Sequence, residues 1–249
     1  MLRNATIRPR LIASLIAGTA LAAPTAAQRN DNERFVDAAA VLEIFTTDEE
    51  HGIPTEILQR ARGIAVIPKV IRGGFIFGGR RGRGVIAIRS PNGEWSNPAF
   101  VTLTGGSIGA QFGAESADVV LVFANDRSVR NIASGKFTLG GEATAVAGPL
   151  GRRTQGAVTG RAEVYVYMHS RGLFAGAAFE GTRLDVDQEA SAAFYRGTRG
   201  VPLGAQTFET PAAALPFLDA LRTAAVLPGA PNVDAPPPER GEAVTFPLE

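Results

Sequence analysis

The feature that most constrains the fold of this 249-residue chain is a series of short apolar runs separated by glycine and turn residues. Residues 64–67 and 119–123 are apolar at every position, so a strand formed by either run has to be covered on both faces. Residues 90–93 read Ser-Pro-Asn-Gly, and Asn-Gly readily adopts the positive φ of a hairpin turn. The pattern therefore predicts a buried sheet. The predicted strands are residues 64–67, 74–77, 85–88, 100–103, 119–123, 164–168 and 173–179.

Helical spacing precedes and interrupts these runs. Phe35, Leu42 and Phe45 recur at the period of a helix, and Asp31 stands where it can cap the start. A shorter helix is predicted over residues 54–61, because proline is tolerated in a first turn. Residues 126–133 and 187–195 are predicted as helical insertions. The fold class that follows is α+β, with N-terminal helices leading into a largely antiparallel, curled β-sheet that is sandwich-like or barrel-like.

The two ends of the chain differ from this body in composition. Residues 1–27 combine early arginines, an apolar run over 11–23 and a small-residue site before Gln28, which is the layout of a signal peptide. We therefore expect a periplasmic or secreted protein, soluble after cleavage and open to peripheral membrane association. Residues 28–205 form the predicted domain. Residues 206–249 hold eight of the 16 prolines and are predicted to extend outside the core, with one short helix over 212–226.

Charge along the chain is uneven, although Lys and Arg total 25 against 24 Asp and Glu. Residues 31–56 hold eight acidic residues and one basic residue, whereas residues 57–93 hold eight basic residues and no acidic one. A net charge of +1 does not favour nucleic acid as a partner, but the basic block has a strong local field. The absence of cysteine excludes disulfide scaffolds, thiolate zinc sites and thiol catalysis.

Several motifs, in order along the chain, resemble those of the SYLF domain family. The first, residues 62–75, reads Arg-Gly-Ile-Ala-Val-Ile-Pro-Lys-Val-Ile-Arg-Gly-Gly-Phe and is similar to the family's opening segment. The further matching segments are residues 84–89, 93–99, 111–115, 148–152, 172–176 and 194–195. Ordered matches over most of the body are more specific than any single short motif in this chain.

The resemblance implies a binding module without catalysis or cofactor. SYLF domains associate with membrane phospholipids, notably phosphoinositides, and some eukaryotic members also bind actin filaments. Lipid contact in the family is attributed to basic residues and an amphipathic N-terminal segment, and Lys69 and Arg72 fall in the matching motif. The N-terminal helix of this chain departs from that expectation, because its polar face is acidic.

A lipid-binding site is predicted at Lys69, Arg72, Arg80, Arg81 and Arg83. The last three stand in a Gly-rich segment that is interpreted as a loop able to bring them to one anionic phospholipid head group, since guanidinium groups bind phosphate bidentately. The alternative is a solvated loop whose arginines pair with the acidic helix. At the level of the whole protein, the alternative is a structural or protein-interaction module of the cell envelope with a protein partner. No metal or cofactor is predicted.

A third interpretation is a serine hydrolase. Residues 105–109 match the Gly-x-Ser-x-Gly nucleophile elbow, with Ser107 as nucleophile, His169 as base, and Asp118 or Asp126 as the acid. An elbow requires a helix directly after the serine, and the following residues are glycine-rich and poor helix formers.

Overall fold

The computed structural model describes residues 26–74, 77–108, 115–133, 137–141, 144–148, 162–170, 181–195 and 209–225. Two helices come first, a sheet with one inserted helix follows, and two helices complete the described part. In chain order the elements are α1 (Ala26–Thr47), α2 (Thr55–Arg60), β1 (Gly63–Gly74), β2 (Phe77–Ile88), β3 (Ala99–Ile108), β4 (Glu115–Phe123), α3 (Asp126–Ala133), β5 (Ala145–Ala147), β6 (Val164–Ser170), β7 (Arg183–Val186), α4 (Gln188–Phe194) and α5 (Leu215–Ala225), the last preceded by a 3-10 turn at Ala212–Ala214.

The described strands form one seven-stranded sheet in the order β5-β6-β4-β1-β2-β3-β7. Every pairing between them is antiparallel except that of β5 with β6. The sheet curls into a half-barrel, with α1 among the helices that cover it. The predicted α+β class, with a largely antiparallel and curled sheet, is therefore confirmed.

Both faces of the sheet are covered, as the doubly apolar runs predict. In β1, Ile64 and Val66 face a core completed by α1, α2 and α5. Ala65 and Ile67 face the opposite way, into a core to which α3 contributes Ile132. Because successive strand side chains point to opposite faces, one run of apolar residues supplies both cores.

Helix α1 crosses the sheet. Near its start Phe35 packs on Phe100 of β3, with ring centroids 5.1 Å apart, and near its end Phe45 meets His169 of β6 at 6.1 Å. The helix begins at Ala26, so Asp31 does not cap it, contrary to the prediction, and instead pairs with an arginine one turn on. Within the described residues, no helix is both long and apolar enough to cross a membrane.

The short elements agree well with the sequence patterns. The predicted helices correspond to α2, α3 and α4, and the Asp187 carboxylate accepts a hydrogen bond from the Ala190 amide to cap α4. Gly93 has φ 92°, as the predicted turn requires. The strands β5 and β7 were not predicted. Residues 1–25 of the predicted leader and the predicted strand at 173–179 lie outside the described residues, while Ala26 and Ala27 belong to α1.

The Gly-Arg segment was predicted as a loop, and that prediction is wrong. Residues 78–84 lie within β2, which pairs along its length with β3. Gly82 and Gly84 allow this, because a Cβ on Gly82 would stand 2.6 Å from Ile67 Cγ2 and one on Gly84 would meet the Val66 carbonyl oxygen. The glycines thus permit close packing of β1 on β2 rather than a turn.

Part of the proline-rich tail belongs to the core, contrary to the expectation that the tail lies outside it. In α5, Phe217, Leu218 and Leu221 are buried in the same cluster as the apolar side chains of α1 and α2. Leu215, the first residue of α5, is 41% exposed. Residues after 225 lie outside the described residues, and the domain boundaries stay a prediction.

Candidate functional site

The candidate site is a groove between the N-terminal half of α1 and the distal part of the β1–β2 pair. Its volume is about 610 Å³. We call it the basic groove, because most of the charged residues that line it are cations. The residues lining it are Asn30, Arg34, Asp37, Pro68, Lys69, Ile71, Gly79, Arg80, Arg81, Gly82 and Arg83. Four of the five predicted lipid-binding residues are among them.

A β-bulge at Pro68 and Lys69 shapes this end of β1. The pairing with β4 moves from Ile67 opposite Val119 to Val70 opposite Ala117, so two residues of β1 stand against one of β4. Proline has no N–H to donate to a strand ladder, and a bulge is one of the few places where it fits within a sheet. The bulge therefore follows from the sequence of β1 itself.

Lys69 is held at this bulge by both its backbone and its side chain. Its φ is 51°, in the left-handed region, and its N–H donates to Asp118 Oδ1 at 2.8 Å. Its ammonium Nζ donates to Asp37 Oδ2 at 2.9 Å, which ties β1 to α1. The hydrogen bond to Asp37 and the charge of Asp37 raise the pKa of Lys69. Lys69 thus enters the groove as a cation whose ammonium is paired with the Asp37 carboxylate.

Arg81 and Arg83 lie on the groove face of β2. Both side chains are exposed, and residues two apart in a strand share a face. Among the described residues, no carboxylate lies within ion-pair distance of either guanidinium. This pair supplies the groove with positive charge that no described acidic side chain neutralises.

Arg80 borders the groove, but strand alternation directs its side chain to the face of β2 opposite that of Arg81 and Arg83, and it is only 7% exposed. A Cβ on its partner Gly105 would lie 3.1 Å from the Arg80 side chain, which shows how closely that side chain packs on β3. The expectation that Arg80, Arg81 and Arg83 converge on one head group is therefore wrong, since strand alternation separates the first from the other two.

Arg34 is a groove residue that sequence reasoning missed. Its guanidinium lies 5.2 Å from the centroid of the Phe100 ring and 3.2 Å from Asp31 Oδ1. The signal that identifies it is that it is the one basic residue between positions 31 and 56. Arg34 lies on the turn of α1 that faces the basic residues of β1 and β2.

Three further arginines of the basic block, Arg62, Arg72 and Arg89, are not among the described residues that line the groove. The backbone of Arg72 pairs with Arg80 and Glu115, and its side chain is outside what the structure describes. Arg62 and Arg89 flank the opposite end of the β1–β2 pair, about 26 Å from Ile71 at the rise of a strand. The block is therefore divided between the two ends of the sheet.

The residues of the hydrolase interpretation are not brought together. Ser107 lies inside β3 opposite Gly78, and the next residue, Ile108, still belongs to the strand. The strands β4, β1 and β2 separate β3 from β6, which carries His169. Asp118 accepts the Lys69 amide. Within the described residues, no three acidic or histidine side chains cluster in a way that could hold a metal ion.

Comparison with known proteins gives consistent matches. The family model described as "Ysc84: Las17-binding protein actin regulator" matches residues 104–224, which begin in β3 and end in α5. The SH3 domain-containing YSC84-like protein 1 of Xenopus laevis is 39% identical over 166 residues, which are 64% of this chain and 49% of the relative. Its Homo sapiens counterpart is 38% identical over 166 residues, 64% of this chain and 48% of the relative.

A yeast relative gives a similar match. Protein YSC84 of Saccharomyces cerevisiae is 38% identical over 158 residues, which are 61% of this chain and 33% of the relative. The chain therefore spans half or less of the length of these relatives. No solved structure matches the chain.

Proposed function

Because this chain contains a domain of the Ysc84 family, which is the SYLF family, we propose that it is a binding module whose basic groove holds the phosphate groups of anionic phospholipids at a membrane surface. The observation that carries the proposal is the exposed pair Arg81 and Arg83. They face the same groove as Lys69, and no described carboxylate pairs with them. Binding needs no catalytic group, in keeping with the separation of Ser107 from His169.

The chemistry of the groove suits phosphate. Each guanidinium presents planar paired donors that match two phosphate oxygens, and side chains two apart in a strand stand about 7 Å from each other. Arg34 and Lys69 already have the carboxylate neighbours Asp31 and Asp37, so they contribute less net charge. A basic side chain near an anionic membrane contributes about 1 kcal/mol, which gives about 2 kcal/mol for Arg81 and Arg83 together.

The test is a double charge reversal, Arg81→Glu with Arg83→Glu. We expect it to abolish sedimentation with vesicles of phosphatidylcholine containing phosphatidylglycerol, because two attractive charges become repulsive. The matched control is Arg60→Glu with Arg130→Glu, which makes the same change of charge on α2 and α3, outside the groove. Arg80 is left intact, since its side chain is buried. Equal sedimentation of the groove variant and the control would contradict the proposal.

Export belongs to the same proposal. It is supported by the signal-peptide layout of residues 1–27, and cleavage before Gln28 leaves in place Phe35, the first residue of α1 that is described as buried. The protein recovered from its native envelope fraction is expected to have the mass of a chain that begins at Gln28. Recovery with residues 1–27 still attached would contradict export as a processed protein.

The second candidate is a protein partner, which is favoured by the names of the relatives. The family description and a yeast relative named LAS seventeen-binding protein 3 both refer to binding of another protein. An acidic segment of a partner would present carboxylates to the same cations of the groove. Vesicles of pure lipid contain no protein, so sedimentation with them supports the lipid. Absence of sedimentation, together with binding of an acidic peptide that Arg81→Glu abolishes, would favour the protein partner.

A further inference from the structure

The basic groove contains one exposed apolar side chain, Ile71, that the proposed function does not use. Ile71 is 60% exposed, the largest exposed fraction among the bulky apolar side chains of the described residues. It lies in β1, where Ile67 and Val70 just before it are buried. Its exposure therefore has to be explained by the local geometry of the strand.

The bulge at Lys69 is what turns Ile71 outward. In a regular strand Ile71 would share the face of Ile67, because the two are four positions apart. The extra residue reverses the alternation, so Val70 joins Ile67 in the core shared with α3. Gly82 makes room for this change, since a Cβ there would stand 2.7 Å from Val70 Cγ2. Ile71 is left on the groove face.

The conformation that exposes Ile71 is held by specific contacts. A positive φ is unfavourable for lysine, and such residues persist only where the surroundings fix them. Here Asp118 accepts the Lys69 N–H, and Asp37 accepts the Lys69 ammonium. The exposed isoleucine is thus a consequence of a fixed and unfavourable backbone, not of a loose strand end.

Cations surround the exposed side chain. Ile71 stands directly opposite Arg81 in the β1–β2 pairing, and Lys69 is two positions before it. An apolar side chain among cations fits the boundary of an anionic bilayer, where phosphates lie above acyl chains. This charge complementarity selects a lipid surface as the occupant.

We infer that Ile71 enters the bilayer when the basic groove docks, so that the bulged end of β1 and the start of β2 face the membrane. The inference rests on the proposed function and adds the orientation of the bound protein. It also predicts a part of the binding that salt does not screen, because transfer of an apolar side chain into lipid does not depend on charge.

The experiment uses the absence of cysteine in the chain, which allows a single labelled position. The variant Ile71→Cys carries an environment-sensitive nitrobenzoxadiazole group. The control is Val146→Cys, also exposed, on the edge strand β5, which β6 and β4 separate from β1. The two labelled proteins are mixed with phosphatidylcholine vesicles that contain phosphatidylglycerol, and both sedimentation and emission are recorded.

We expect the label at position 71 to brighten several-fold and shift to the blue on the vesicles, while the label at position 146 does not change. Sedimentation without any change at position 71 would overturn the inference and leave the proposed function standing. No sedimentation of the wild-type protein would overturn both. As a second variant, Ile71→Ser should weaken vesicle binding about tenfold at high salt, and an unchanged affinity there would also overturn the inference.

Discussion

Lys69 and Asp37 illustrate at the residue scale how the acidic and basic segments of the chain meet. Their side chains join at 2.9 Å at the edge of the basic groove, and they link the bulge in β1 to α1. The alternative interpretation pairs the arginines of the Gly-Arg segment with the acidic helix, but the described pairing is with Lys69. It does not extend, within the described residues, to Arg81 or Arg83.

Asp37 is the acidic residue that lines the groove, and its carboxylate opposes the binding of an anion. The change Asp37→Asn should raise the affinity for anionic vesicles about fivefold, because one repulsive charge near the membrane costs about 1 kcal/mol. Titration of the wild-type protein and the variant with vesicles measures the two affinities. The matched control, Glu43→Gln, removes a charge from the same helix outside the groove. An equal gain in affinity in both variants would show that affinity depends on the total charge of the protein and not on the position of Asp37.

Two tyrosines, the buried Tyr167 and the half-buried Tyr195, are expected to differ in their contribution to stability. The Tyr167 hydroxyl is buried with no hydrogen-bond partner among the described residues, whereas the Tyr195 hydroxyl donates to the Pro98 carbonyl oxygen at 2.6 Å. Tyr195→Phe should therefore lower the free energy of unfolding by about 1 kcal/mol, and Tyr167→Phe should leave it unchanged or raise it. Urea unfolding followed by Trp95 fluorescence measures both. A larger loss in Tyr167→Phe would contradict this assignment.

The same two side chains predict how stability depends on alkaline pH. Burial raises the pKa of Tyr167 and of Tyr195 above the ordinary value of about 10. The folded state therefore keeps protons that the unfolded state releases, so stability is full below pH about 10 and falls as the pH rises above it. Tyr167→Phe should reduce the slope of this decline in unfolding experiments between neutral and alkaline pH. An unchanged slope would contradict a contribution of Tyr167 to the loss of stability at alkaline pH.

At the scale of elements, the packing of β2 on β1 depends on Gly84. A Cβ there would meet the Val66 carbonyl oxygen and would stand 2.8 Å from Ile67 Cα, and both are backbone atoms that cannot move aside cheaply. We expect Gly84→Ala to lower the free energy of unfolding by about 1–3 kcal/mol. The control is Gly106→Ala in β3, where a Cβ would meet nothing within 4 Å. Equal stability of the two variants in urea would contradict the argument.

β2 also shows where prediction from sequence succeeded and where it failed. The apolar residues at 85–88 were predicted as a strand, but the preceding Gly-Arg segment carries no apolar alternation and resembles a turn. Its strand character comes from β1, whose Ile67 and Val70 occupy the space that Gly82 leaves open. A pattern within one segment cannot reveal that its partner supplies the missing side chains.

The helix over 212–226 was predicted and corresponds to α5, but neither its burial in the core nor the bulge in β1 was, and the reasons are related. Prolines 211 and 216 gave the tail the composition of a spacer, yet Phe217 and Leu221 complete the core under α1. The positions of Lys69, Arg81 and Arg83 in one groove follow from strand pairing, and the sequence showed only that the charges were near one another. The side chains that share a face were fixed by alternation and by one extra residue at the bulge.

At the scale of the whole molecule, the near-neutral net charge conceals an ordered distribution. The acidic helix α1 crosses one face of the sheet, and the basic groove opens beside its N-terminal half. Arg62 and Arg89 of the basic block lie at the opposite end of the β1–β2 pair, where Arg62 approaches Asp126 and Arg89 donates to backbone carbonyls. One end of the sheet therefore has cations with no described acidic partner.

The measurement that tests the central claim most directly is arginine footprinting of the unaltered protein with phenylglyoxal, with and without phosphatidylglycerol vesicles, read by mass spectrometry. The account predicts that Arg81 and Arg83 react several-fold more slowly on the vesicles, while Arg60 and Arg130 react at the same rate in both conditions. Vesicle-bound protein in which Arg81 and Arg83 stay as reactive as in free solution would contradict binding through the basic groove.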